Sequence, residues 1–263
     1  MFNKKSDLIL TISFLVILFL GFYFNNKESK INYVPSKYEE KLISYFNEVA
    51  LKSEYGDNSH NVRKWKKPMI LFISKDEEYD DQVKAIQKTV NDINKLATDG
   101  FKIVLNNDIS KCNAVLYLCD KERVFELDSI FYKELSDSID YEISGLASME
   151  YNTEDYIINK TTIYINSEYS LDVQESAILE EITQSIGLPN DPITYSNSIF
   201  YKNKIEENNT FNEYTKMDAD VIRLLYHPKM KPGLSFKEAK KVIKRILKIE
   251  AENISDFKIQ KIK

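Results

Sequence analysis

Glycine is scarce in this chain, and its placement is the tightest limit on what the chain can fold into. A sequence of 263 residues at average usage would carry roughly 18 glycines. It has six, Gly21, Gly56, Gly100, Gly145, Gly187 and Gly233, and each stands alone. Phosphate-cradling loops, dinucleotide-binding turns and the nucleophile elbow of serine hydrolases all need clustered glycines, for tight turns and for close approach of backbone to ligand. None of those motifs is present. Histidine and cysteine are as sparse: His60, His227, Cys112 and Cys119 are the whole supply. A zinc finger, an H-E-x-x-H zinc site and any three-histidine site are excluded by count and spacing.

The net charge of −5, from 36 basic and 41 acidic side chains, offers no global attraction to nucleic acid. Hydrophobic residues make up 43% of the chain and charged ones 29%. That balance can bury a core, so one globular domain after a short leader is expected.

The leader is Leu8 to Phe24, 17 residues without a charge, reaching about 25 Å as a helix, the short end of what spans a bilayer. Lys4 and Lys5 precede it and predict a cytoplasmic N-terminus with the remainder exported. The rival reading is a cleaved signal peptide. Phe22 to Asn26, however, lacks the small residues that signal peptidase favours, and no cysteine follows for lipid attachment. Residues 1–30 are therefore read as anchor and tether, and 31–263 as the domain, with a helical C-terminal part from about 217.

Ser36-Lys37-Tyr38-Glu39 forms a capping box ahead of Leu42, Ile43, Phe46 and Val49 at helical spacing. The stretch Tyr55 to Asn61 is rich in turn residues. Pro68 to Ile73 reads as a strand covered on both faces, and Val83, Ile86, Val90, Ile93 and Leu96 as an amphipathic helix ending near Gly100. Strands are expected at Phe101 to Leu105, Ala114 to Leu118, Gly145 to Tyr151 and Thr161 to Ile165, with a short helix from Glu122 to Phe131. Asp172 can cap a helix bearing Ile178, Leu179, Ile182 and Ile186 that stops at Gly187. Two further helices are expected at about Asp218 to Tyr226 and Phe236 to Glu250. Cys112 and Cys119 bracket a strand that would hold them roughly 20 Å apart, so no disulfide is expected. Arg63-Lys64-Trp65-Lys66-Lys67 reads as a solvated edge that blocks strand association, with anionic lipid or an acidic partner as the alternative.

The stretch LEEITQSIGLPND, Leu179 to Asp191, is the most informative. It is similar to the active-site helix of metzincin peptidases, H-E-x-x-H-x-x-G-x-x-H/D. Positions four apart share a helix face, and a glycine three residues on permits the left-handed turn that returns a third ligand. The resemblance puts Glu180 at the first ligand position, Glu181 at the general base, Gln184 at the second ligand and Gly187 at the turn, with Asn190 or Asp191 as the third ligand. The spacing is kept and the ligands are changed. Ser198 to Lys202 resembles the matrixin methionine turn with Phe200 in the methionine's place, and Tyr214 to Pro228 resembles the closing helix. From about Tyr38 to Ser235 the pattern is similar to the bacterial domain of unknown function 2927, grouped with zincin-like peptidases. What this implies is an α+β, metzincin-like fold, with a mixed, mostly parallel five-stranded sheet packed on an active-site-type helix behind an N-terminal transmembrane helix. Together with the leader, the expected place is the bacterial cytoplasmic membrane, single-pass, with the domain extracytoplasmic, or secretion after signal cleavage.

Glu180, Gln184 and Asn190 or Asp191 offer oxygens, a weak set for zinc and nearer to what calcium or magnesium accept. No cofactor is expected, although a divalent metal ion fits the alternative reading. The same E-E-x-x-Q letters on an ordinary amphipathic helix form a solvated face. The expected role is binding of an envelope protein or peptide in the former cleft, flanked by Glu181, Gln184 and the Asn190 to Tyr195 loop, with an added strand beside Thr161 to Ile165. The alternatives are a metal-dependent peptidase with Glu181 as base, and a purely structural domain. His227 at a helix end and His60 in a polar loop read as structural or solvent-facing.

Overall fold

A computed structural model of the chain describes residues 33–52, 60–137, 143–202 and 209–260. Leu8 to Phe24 lies outside them, as do most of the tether and most of Tyr55 to Asn61. No described helix is long and apolar enough to cross a membrane. The folded unit begins at Pro35, and its first helix starts at the capping box. The Glu39 amide donates to Ser36 Oγ at 3.3 Å, and the Ser36 amide donates to Glu39 Oε2 at 2.7 Å. Helix α1 (Lys37–Leu51) then buries Leu42, Ile43, Tyr45, Phe46 and Val49.

The sheet is mixed and mostly parallel, in an α/β arrangement consistent with the expected class. Its strands are β1 (Lys64–Trp65), β2 (Met69–Lys75), β3 (Ile103–Leu105), β4 (Ala114–Cys119), β5 (Gly145–Tyr151) and β6 (Ile157–Asn166). The order is β1-β6-β4-β2-β3, all parallel, with β5 antiparallel to β6. Thr161 to Ile165 pairs with β4 on one edge and β5 on the other. The expected added-strand site beside Thr161 to Ile165 is therefore closed, and the outermost strand on that side is β5.

Six strands replace the expected five because Lys64 and Trp65, expected at a solvated edge, pair with Ile157 and Ile158 of β6. Arg63, Lys64 and Trp65 are 2%, 0% and 1% exposed, while Lys66 and Lys67 are exposed. A buried ammonium is costly unless it is paired and hydrogen-bonded, and Lys64 is both. Its Nζ reaches Asp99 Oδ2 at 2.7 Å, the Leu225 carbonyl at 2.7 Å and the Met230 carbonyl at 3.2 Å, and it lies 4.7 Å from the Tyr226 ring centre. Burial still holds the Lys64 ammonium below the usual lysine range, with Asp99 opposing.

Helix α2 (Asp80–Leu96) ends ahead of Gly100, as its spacing predicts. The single helix expected over Glu122 to Phe131 is two, α3 (Lys121–Leu127) and α4 (Ser129–Asp137), because Asp128 interrupts and its Oδ1 accepts from the Phe131 amide at 3.0 Å. Both cysteines are free thiols, and burial pushes that of Cys119 up to about 12. Helix α5 (Leu171–Gln184) has Ser170 at its N-cap position, without a side-chain capping bond, and Asp172, the expected cap, lies inside its first turn where a carboxylate favours the helix dipole. Helices α6 (Lys216–Leu225) and α7 (Phe236–Gln260) complete the unit and pack on α1.

Gly187 ends the α5 segment with φ +112°, and a Cβ there would sit 2.2 Å from the Arg63 carbonyl oxygen. At Gly100, with φ +95°, a Cβ would meet nothing within 4 Å. Alanine at either position bears a left-handed backbone penalty of about 1–2 kcal/mol, but only Gly187→Ala also drives β1 away from the end of α5. Urea unfolding is expected to show Gly187→Ala losing about 2 kcal/mol more than Gly100→Ala. Equal losses would mean that the close approach of Arg63 carries no weight.

Candidate functional site

Helix α5 has two unlike faces. At about 100° per residue, Glu175 and Leu179 share one side, and Glu180, Glu181 and Gln184 the other. The latter three are 2%, 6% and 7% exposed, so the E-E-x-x-Q run is not a solvated face. Gly145, the first residue of β5, is glycine for a local reason: a Cβ there would fall 2.7 Å from Glu181 Cγ and 3.1 Å from its Oε1. The Glu181 side chain thus lies in the space between α5 and the start of β5.

The ligand-equivalent side chains are brought together only in part. Gln184 Nε2 donates to Asp191 Oδ1 at 2.6 Å. Asn190 is directed elsewhere, its Nδ2 donating to the Glu48 carbonyl of α1 at 3.0 Å. Of the two candidates for the third position, it is Asp191 that meets Gln184. Helix α1 grips the rest of this loop as well. Thr194 Oγ1 donates to Glu48 Oε2, and the Tyr195 ring packs edge-on against Tyr45 with centroids 4.6 Å apart.

A hydrolytic zinc needs three converging donors and one open position. Here Gln184 and Asp191 are bonded to each other and Asn190 to the α1 backbone. Among the described residues no three His, Cys, Asp or Glu side chains form a group able to hold a metal ion. The ligand-equivalent residues do not fit the zinc that a metzincin resemblance implies.

Behind the loop, Ser198 to Tyr201 closes a turn through the Tyr201 amide and Ser198 carbonyl at 3.1 Å, and Phe200 is fully buried. Ser198 Oγ accepts from the Tyr45 hydroxyl and donates to Asp218 Oδ1 at 2.6 Å. Asp218 Oδ2 accepts from Thr215 Oγ1 at 2.6 Å and from the Thr215 amide at 3.0 Å. The result is a buried polar chain from α1 through the turn to α6. Burial raises the Asp218 carboxyl above the usual carboxylate range, against the donors Ser198, Thr215 and the Ile199 amide, and raises the Tyr45 phenol as well. Sequence reasoning missed this chain, although Thr215-x-x-Asp218 is itself a capping-box pattern and forms one.

The histidines lie at helix ends. His227 Nδ1 accepts from the Lys229 amide at 3.0 Å instead of donating to the last carbonyls of α6, and burial lowers its pKa from the usual histidine value. His60 Nδ1 is 3.1 Å from the Leu51 carbonyl. A cavity of about 270 Å³, lined by Lys84, Lys88, Thr89, Glu175, Leu179 and Glu213, opens on the opposite side of α5 from Glu181.

Residues 39–245 match the family model described as "Protein of unknown function (DUF2927)". No curated protein matches the chain.

The raised Asp218 carboxyl gives the site a pH signature. The unfolded chain releases this proton near pH 3.9, whereas the folded chain holds it to a higher pH. Its contribution to stability is therefore greatest below about pH 3.9 and declines until the folded pKa is passed. Wild-type stability minus that of Asp218→Asn is expected to fall as pH rises from about 4 through the weakly acidic range. A difference that stays flat, or rises, across that range in urea titrations would contradict the assignment.

Proposed function

The chain belongs to the DUF2927 family, and from that premise we propose that it is a zincin-like, non-catalytic binding domain held on the extracytoplasmic face of a membrane by Leu8 to Phe24. The observation that carries this reading is the 2.6 Å bond between Gln184 and Asp191. Together with the Asn190 contact to α1, it uses three of the four ligand-equivalent side chains to fix the loop after α5. These bonds engage the amide nitrogens, and none of the four side chains offers the imidazole nitrogen or thiolate that suits zinc. The likeness to a zincin is supported by the antiparallel β5 beside the strand that leads into α5, by the left-handed Gly187 and by the buried turn at Phe200.

The edge that remains open on this side of the sheet is that of β5. No described strand pairs its outer edge, and its first residue touches Glu181. An extended segment of an envelope protein adds there as a strand, with backbone hydrogen bonds for affinity and the half-buried β5 side chains for selection.

The test uses full-length protein in detergent, loaded in turn with zinc, calcium and manganese, dialysed and analysed for metal. A displayed peptide library is then selected on the same protein, and the bound peptides are mapped by cross-linking. The expected outcome is less than one equivalent of each metal, uncleaved bound peptides, and cross-links to 145–151. One tightly held metal that is lost on Glu180→Ala, with peptide cleavage lost on Glu181→Gln in a folded variant, would replace this reading with the peptidase.

A further inference from the structure

Where α3 turns into α4, the surface is apolar. Phe125, Leu127 and Ile130 are 59%, 43% and 78% exposed, within a span of six residues. The Phe125 ring stands edge-on to Tyr132, with centroids 5.2 Å apart. These are not strays from the core. The inward side of the same two helices already supplies Val124, Phe131 and Leu135 to a filled cluster with Tyr117, Cys119 and Tyr164. The helix pair is apolar on both sides, and only one side is covered by the domain.

Size, charge and chain length together identify the occupant. Three such side chains offer on the order of 400 Å², about half of the ~800 Å² per partner that a stable protein interface buries. Across 121–137, three basic residues (Lys121, Arg123, Lys133) stand against five acidic ones (Glu122, Glu126, Asp128, Glu134, Asp137), a net −2. Attraction to an anionic surface is therefore not the driving force. Residues 25–34 separate the uncharged run Leu8 to Phe24 from the folded part at Pro35, and ten residues span at most about 35 Å. A chain anchored by that run keeps its domain within reach of the bilayer, where tethering makes a weak apolar contact sufficient.

We propose that the Phe125–Leu127–Ile130 corner docks on the lipid bilayer that the chain's own apolar run enters, an inference that rests on the anchor reading above. Aromatic and aliphatic side chains enter the headgroup–acyl boundary by apolar burial, so the contact is insensitive to salt. The cluster beneath the corner also packs Ile143 and Leu146, which flank Gly145. Docking therefore holds the start of β5, and Glu181 beside it, close to the lipid surface, and suits the cleft to a membrane-proximal segment of its partner.

The test reconstitutes full-length Phe125→Trp in phosphatidylcholine vesicles with and without brominated acyl chains. Lys102→Trp, exposed beside the far edge strand β3, is the control, and the buried Trp65 is a constant background. The expected result is protein that resists carbonate extraction, roughly twofold quenching of Phe125→Trp by bromine that persists in molar salt, and little quenching of Lys102→Trp. Adding Ile130→Ser to Phe125→Trp is expected to reduce the quenching. Carbonate-resistant protein with equal, weak quenching at both sites overturns the docking and leaves the anchor standing. Protein released by carbonate overturns the anchor and the docking with it. Phe125→Trp emission that changes with protein density and not with bromine assigns the corner to a second copy, and also overturns the proposal.

Discussion

Three consecutive residues, Arg63 to Trp65, meet the carboxy-terminal ends of two helices at once. The last carbonyls of a helix have no partner within it, and here β1 supplies them from a distance. Trp65 Nε1 donates to the Ser185 carbonyl at 3.0 Å, just past α5, and Lys64 Nζ takes the Leu225 carbonyl at the end of α6. Tyr226 closes the joint, its hydroxyl donating to the Ile186 carbonyl at 2.8 Å and accepting from the Trp65 amide at 3.2 Å. Gly187 is what lets the backbones come this close, since any Cβ would enter the Arg63 carbonyl. A strand of two residues therefore fixes the direction in which the chain leaves α5.

That direction determines the site. Because the chain turns back at Gly187, Asp191 returns to Gln184, and Asn190, one residue earlier, faces α1. The loop is then held from its far side by Glu48 and Tyr45, and the Ser198–Asp218 bond ties the same region to α6. The loop that flanks Gln184 is thus tied to α1, a helix with seven buried residues.

What could be read from the sequence was local. The Ser36–Glu39 box, the end of α2 before Gly100 and the turn at Gly187 each depend on residues within a few positions, and each is found in the structure. So was the family, whose model matches residues 39–245. What escaped was non-local. Lys64 is buried because of a carboxylate 35 residues on and carbonyls more than 160 residues on, and nothing in Arg-Lys-Trp-Lys-Lys announces them. Asn190 was offered as a ligand because its partner, the Glu48 carbonyl, is 142 residues upstream. The break at Asp128 is a different failure. Its side-chain cap on the Phe131 amide is local, and an aspartate between two apolar-periodic stretches is itself a helix start signal.

The two buried glutamates remain the residues least explained by packing. Replacing a buried carboxylate by a well-packed apolar side chain of similar volume is commonly neutral or stabilising, and α5 is otherwise lined by Ile178, Leu179 and Ile182. A domain selected for stability alone has no need of Glu180 and Glu181 together at the interior of a helix. Nor does it need Gly145, whose missing side chain makes room for Glu181 and costs the strand both packing and conformational entropy. Gly145 and Glu181 fit each other, one giving up a side chain where the other takes the space. That mutual fit seats a buried carboxylate against the first residue of β5.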